Sequence, residues 1–265
     1  MEKSYILHMT WEEFREAATL PNAVAVIPLG TTEQEGSHLP MGVDTIVAEG
    51  IAQGLEGEEG ILIGPLLPIG YSKWFKPFPG TISLEHETMM GVLRDYCVSL
   101  IDHGLRRLVF LNAHRGNNAC IEMTSRNLMA SHSVRMGMLS VWKLANDLTA
   151  GMEWVREARF THAGEIMTSL VMALMPEAVV AGRSRPGSIR SPQGSSFRVN
   201  NSLGEVTFRN SVQTVYQDIR ELTDTGTLGD PSQASAEKGK KILEMILDYT
   251  RAFLQEFRTL PFHDV

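Results

Sequence analysis

The chain has 265 residues, enough for one large domain or two small ones, and its 43% hydrophobic and 21% charged content is that of a globular protein. A formal charge of −7 argues against a nucleic-acid partner, and two cysteines, Cys97 and Cys120, make no disulfide framework. No apolar run approaches the length of about 18 residues that a membrane span needs, and the opening MEKSYILHMTWEEF carries acids and no long apolar segment, so a cytoplasmic protein without a secretory signal is expected.

Apolar, β-branched runs at 23–29 (AVAVIPL), 61–67 (ILIGPLL), 106–112 (RRLVFLN) and 137–142 (GMLSVW) read as strands, each bounded by Gly, Pro or Asn. Helical patterns fall at 45–56, 85–103, 117–131 and 164–175, and a last one at 232–257 repeats apolar residues at three- and four-residue spacing. Strands that are apolar throughout and alternate with helices define an α/β chain, with a mostly parallel sheet covered on both faces. Residues 182–215, rich in Gly, Ser, Pro and Arg with one weak strand (GEVTF), break the pattern. They read as a solvated excursion from the core, with a substrate lid or subunit contact as the sharper alternative. Neither a repeat nor a domain boundary is visible, so 1–265 is taken as a single domain.

Open parallel sheets bind ligands at the carboxyl ends of their strands. The segment GTTEQEGSHLPMGVDT follows the first strand and crowds Glu33, Glu35, His38 and Asp44 into one loop, where a bound cation would relieve their repulsion. The segment NAHRGNN follows the third strand and places His114 at a strand-to-helix turn; THAGE (161–165) places His162 at the start of another helix. Singly, such histidines are ordinary loop residues and such acids are ordinary helix caps, Asp44 and Glu165 included. Carboxylates and imidazoles coinciding at three sheet-end loops, without cysteine, suit Zn²⁺, Mn²⁺ or Fe²⁺.

These segments, with FPGTISL (78–84), HAGEIMTSLVMAL (162–174) and GTLGDPSQASAEKG (226–239), resemble the creatininase family, the creatinine amidohydrolases. The resemblance implies a three-layer α/β/α sandwich and a metal-dependent hydrolase of a small molecule, usually with two ions and commonly assembled as a homo-hexamer. It implies Glu33, Asp44 and His114 as ligands of the first ion, with Asp44 able to bridge to a second, and His162 as a catalytic residue that handles protons or holds substrate.

The chain also departs from the family. Glu35 stands where a histidine usually binds the second ion, Met167 where a glutamate is usual, and Gly116 and Thr161 where creatininase has glutamates. The expectation is one tight ion, zinc first and manganese or iron next. A weaker second ion is either held through Glu35, with Glu165 helping, or absent. Ser72 and Trp74, with Phe75, lie in the segment before FPGT, where relatives are more polar, and are expected on the substrate side. Arg115 replaces a common glycine and offers a guanidinium to a carboxylate, phosphate or hydroxyls, or else an ion pair at a subunit contact. Hydrolysis of a C–N bond in a small cyclic amide other than creatinine is the leading expectation. Ring-opening C–C hydrolysis of a cyclic polyhydroxy diketone and binding without turnover are the alternatives.

Overall fold

In the computed structural model, which describes residues 3–262, four parallel strands run β1 (Val24–Leu29), β2 (Ile61–Ile63), β3 (Arg107–Asn112) and β4 (Arg135–Ser140), ordered β2-β1-β3-β4. Leu29 is in register with Asn112, and Asn112 with Ser140, so three strands end at one level and their succeeding loops leave from the same edge. Strand periodicity sorts the side chains. Val24, Val26, Val109 and Leu111 face a core with α2 (Val43–Gln53), α5 (Val141–Thr149), α6 (Glu165–Leu174) and α8 (Ala236–Phe257). Ala25, Ile27, Leu108 and Phe110 face α1 (Trp11–Ala18), α3 (His86–Asp102) and α4 (Asn118–Ser131). The result is the three-layer α/β/α sandwich.

The structure differs from the sequence expectation at several elements. β2 stops at Ile63 because Pro65 and Pro68 interrupt the run, leaving one isolated bridge from Leu67 to Leu29. β4 ends at Ser140, and Val141 and Trp142 open a helix, not a strand end. The helix α1 was not anticipated; Thr10 and Glu13 close a capping box at its start, Glu13 N donating to Thr10 Oγ1 at 3.3 Å and Thr10 N to Glu13 Oε2 at 2.7 Å.

The excursion carries a small antiparallel sheet of β5 (Arg198–Val199), β6 (Glu205–Phe208) and β7 (Ser211–Thr214), followed by α7 (Ile219–Leu222). The β6–β7 turn places Arg209 and Asn210 at φ of 46° and 67°, the left-handed pair that a tight two-residue hairpin needs. Val199 and Val206 pack with Ile219 and Leu222 against Phe75, so this segment is anchored on the body of the domain. Among the described residues no helix is long and apolar enough to cross a membrane.

Candidate active site

Three loops leaving the carboxyl edge of the sheet build one pocket. Asp44 lies in the first turn of α2, where it does not cap the helix. It is held by Thr31 Oγ1, which donates to Oδ2 at 2.6 Å, and by the Trp142 indole, which donates to Oδ1 at 2.8 Å. Gly30 lets this turn close on the strand end, since a Cβ there would come within 2.5 Å of the Thr45 backbone. The loop after β3 is fixed by its asparagines. Asn112 Nδ2 donates to the His114 carbonyl at 2.7 Å, and His114 N donates to Asn112 Oδ1 at 3.2 Å. Asn117 links the loop to the segment around Tyr71 by accepting from Tyr71 N at 3.0 Å.

This scaffold aims His114 at the acids. Its Nδ1 lies 3.0 Å from Asp44 Oδ2 and 3.3 Å from Glu33 Oε1, while Nε2 donates to the Tyr71 carbonyl at 2.9 Å. With Nε2–H held by a carbonyl, Nδ1 is the atom left to meet a cation or a proton. Burial alone would lower the imidazole's pKa; the charge of Glu33 and the hydrogen bonds to Asp44 and Glu33 outweigh it and hold the ring up at about 10. In the metal-free protein an imidazolium thus takes the place of a cation between two carboxylates.

On the other side of Glu33 sits Glu35, 1% exposed; burial, then Asp44 and Glu33, pushes its carboxyl well above the ordinary range. His162 Nε2 lies 3.3 Å from Glu35 Oε2, 2.9 Å from the Gln34 carbonyl and 3.0 Å from the Gln34 amide nitrogen. Burial, against the pull of Glu33, lowers the His162 pKa. Ala163 just after His162 adopts φ of 56°, a left-handed backbone that turns the histidine loop into α6.

Two groups of three residues bring ligand atoms within 4.8 Å of one another: Glu33, Asp44 and His114, and Glu33, Glu35 and His162. The residue common to both is Glu33. The fit to a cation is supported by oxygens left over: Glu33 Oε2 and both oxygens of Glu35 are buried without a hydrogen-bond partner among the described residues. His38 is not part of either group; it is buried under α6, its Nε2 3.0 Å from Thr168 Oγ1.

Glu165 is also elsewhere, which corrects its assignment as a helper of the second ion. Its Oε2 accepts from Arg156 N at 2.8 Å and Glu157 N at 2.9 Å, and its Oε1 pairs with Lys238 Nζ at 2.5 Å. Ser72, expected on the substrate side, is fully buried and does not line the cavity.

The cavity, about 60 Å³, has aromatic walls. Trp74 stacks on His114 with centroids 5.5 Å apart, Phe75 on His162 at 4.5 Å, and Trp142 on Phe160 at 5.0 Å. The Trp74 indole N–H, buried, has no partner among the described residues. Polar groups at the rim come from Arg115 and from Asn200, Asn201 and Ser202 of the excursion. Arg115 lies 3.6 Å from Glu205 of β6, an ion pair within this chain and about 40% exposed on both sides. Trp142, Phe160, the 200–203 loop and Glu205 were missed in the sequence. Trp142 had one available signal, its position directly after β4 at the same sheet edge; the excursion's approach to the pocket is long-range and left no local signal.

The matches with known proteins agree with this geometry. The family described as Creatininase, creatinine amidohydrolase, matches residues 7–254, and the chain belongs to that family. It is 29% identical over 263 residues to the creatinine amidohydrolase of Pseudomonas putida, covering 92% of this chain and 94% of that one. A mycofactocin precursor peptide peptidase of Mycobacterium ulcerans is 29% identical over 232 residues, 84% and 81% of the two chains. A 3-dehydro-scyllo-inosose hydrolase of Thermotoga maritima is 26% identical over 265 residues, 95% and 83% of the two chains. A crystal structure of creatinine amidohydrolase superposes with a TM-score of 0.74 at 28% identity, covering 97% of this chain and 99% of that one. Other solved creatininases are described as "Creatininase Mn" and, for a mutant, "Zn-Zn type". The relatives are hydrolases with different substrates, so family membership carries hydrolysis further than it carries any one bond.

Proposed function

We propose that this chain is a divalent-metal-dependent hydrolase in which Glu33, Asp44 and His114 hold the ion, and that it cleaves the C–N bond of a small cyclic amide. The observation that carries the reading is Glu33 Oε2, buried without a hydrogen-bond partner among the described residues, in a carboxylate–imidazole group at the mouth of an aromatic cavity. A divalent ion supplies a bound water of pKa about 7 and a polarised carbonyl.

The protein's own residues do the rest. Tyr71 fixes the His114 ring so that Nδ1 is turned to Asp44 and Glu33, the residues that would hold the ion with it, and Thr31 and Trp142 fix the two oxygens of Asp44. Trp74, Phe75, Trp142 and Phe160 exclude bulk water and present flat faces to a ring, and the free Trp74 N–H can donate to a substrate oxygen. Arg115, with Asn200 and Asn201, orients the polar end. Assembly as a homo-oligomer belongs to the same proposal and rests on family resemblance; a cytoplasmic location rests on the composition and charge of the chain.

The rim gives a second reading some support: Arg115, Asn200, Asn201 and Ser202 suit a ring rich in hydroxyls, as ring-opening C–C hydrolysis of a cyclic polyhydroxy diketone would require. Turnover of a panel of lactams, formamides and cyclic ketones by the metal-loaded chain separates the two. Chelator-sensitive hydrolysis of a cyclic amide is expected. Turnover confined to the ketones selects the second reading, and turnover indifferent to chelation contradicts both.

A further inference from the structure

The pocket of acids lies at the carboxyl edge of the sheet, and the opposite edge carries a cluster of the other sign. Arg107 and Arg135 open β3 and β4 in register, Arg106 precedes β3, and Arg258 directly follows α8. Arg106 and Arg107 both lie over the Phe262 ring, their guanidinium carbons 4.3 and 4.2 Å from its centroid. Arg107 is 8% exposed, and burial first, then the charges of Arg106, Arg258 and Arg135, lower its pKa. Guanidinium groups gathered in this way repel one another and lose part of their hydration.

The partners that hold these side chains are neutral. Arg106 Nε donates to the Ser133 carbonyl at 2.7 Å, Arg107 Nη2 to the Leu260 carbonyl at 3.1 Å and Arg258 Nη1 to the Glu59 carbonyl at 3.1 Å. Arg107 Nε is buried without a hydrogen-bond partner among the described residues, and no carboxylate among them offsets the charge of Arg107. The Glu58 carboxylate, on the wall of a cavity that Arg258 also lines, is already taken by Arg251 at 2.8 Å. One carbonyl bond fixes each guanidinium and leaves it further N–H donors, since the group carries five.

We infer that Arg106, Arg107 and Arg258 form an anion site at the amino edge of the sheet, remote from the metal pocket, and that it takes a phosphate group. Planar guanidinium forks held in place match the oxygens of a phosphate, and a dianion would relieve the repulsion among them. In a chain of formal charge −7, a cluster this local suits one compact anion and not a nucleic-acid backbone. The cavity beside Arg258, about 250 Å³ and lined also by Arg251, Gln255, Glu58 and Glu59, has room for the hydroxyl-bearing part of a phosphomonoester. The site stands apart from the hydrolase reading and does not depend on it.

The test is calorimetric titration of the full-length chain with inorganic phosphate and with glycerol 3-phosphate, at ionic strength held constant with chloride. Saturable binding of one anion per chain is expected. Arg106→Gln and Arg258→Gln should each weaken it at least tenfold with unchanged circular dichroism, while Arg115→Gly and His114→Ala, at the opposite edge, should bind as the wild type does. Tighter binding of the ester, by tenfold or more, would support the site as one for a phosphorylated small molecule; equal binding of the two would support it as one for free phosphate. The absence of saturable binding of either probe would overturn the inference. So would binding that survives in both edge variants, or that is lost in Arg115→Gly or His114→Ala.

Discussion

Glu33 and Glu165 are both buried glutamates at the sheet's carboxyl edge or a helix start, and their surroundings are opposite. Around Glu165 the protein answers every charge: two backbone N–H groups and Lys238 for Glu165 itself, and the backbone of Thr161 and Ile166 for its neighbour Glu157. Around Glu33, three carboxylates share two imidazoles, Trp142 and a threonine, and three oxygens are left without hydrogen-bond partners among the described residues. A cluster the protein satisfies is architecture. A cluster it leaves open, at the mouth of a cavity, is built for something that arrives later.

The comparison breaks most visibly at His114. His114→Ala removes the only imidazole of the first group, and metal retention should fall by at least about 100-fold, beyond what loss of a supporting contact costs. Metal analysis after desalting checks this; unchanged retention would mean the group is not a site. Glu165→Ala should do the reverse, destabilising the fold by about 3 kcal/mol, because it strands Lys238 and two backbone N–H groups that now bond the buried carboxylate, with metal content unchanged. Denaturant unfolding reads the first effect and metal analysis the second.

Two further variants sharpen the picture. Arg115→Gly should leave fold and metal content intact and weaken substrate binding by about 1.5–3 kcal/mol, with lysine rescuing only in part. Equal specificity constants for Arg, Lys and Gly would make Arg115 a structural partner of Glu205 only. Glu35→Gln bears on the metal-free protein through pH. Burial first, then Asp44 and Glu33, raises the folded carboxyl above its unfolded value, so the folded state holds the proton longer than the unfolded chain. Its share of stability is present below the ordinary carboxylate range and is lost as pH rises through the folded value. The His114 contribution, with the ring held at about 10, is likewise lost on the alkaline side. In chelator, the wild type should lose stability as pH rises above the ordinary carboxylate range, and Glu35→Gln should flatten the early part of that fall. Identical slopes would show that Glu35 is not strained by its neighbours.

Range along the chain decided which features were legible in the sequence. The sheet, both helical layers and the site triad lie in segments whose apolar periodicity and strand-end polar clusters are local, and a parallel sheet brings strand ends together without further information. The start of α5 was hidden because Val141 and Trp142 are β-branched and aromatic, and read as more strand; with them went the Trp142 bond that fixes Asp44. The contacts of Glu165 with Lys238, and of Arg115 with Glu205, join residues far apart in the chain and could not be read from spacing. The substitution at position 35 and the histidine at 162 were each legible, but not their contact, which joins two loops far apart in the chain.

The most direct measurement is divalent metal content per chain on protein purified with neither added metal nor chelator, with Asp44→Asn prepared alongside. The account expects at least one Zn or Mn ion per wild-type chain and markedly less in the variant. A wild-type chain that carries no ion and takes none up when Zn²⁺ or Mn²⁺ is supplied, or a variant that carries as much as the wild type, would contradict it.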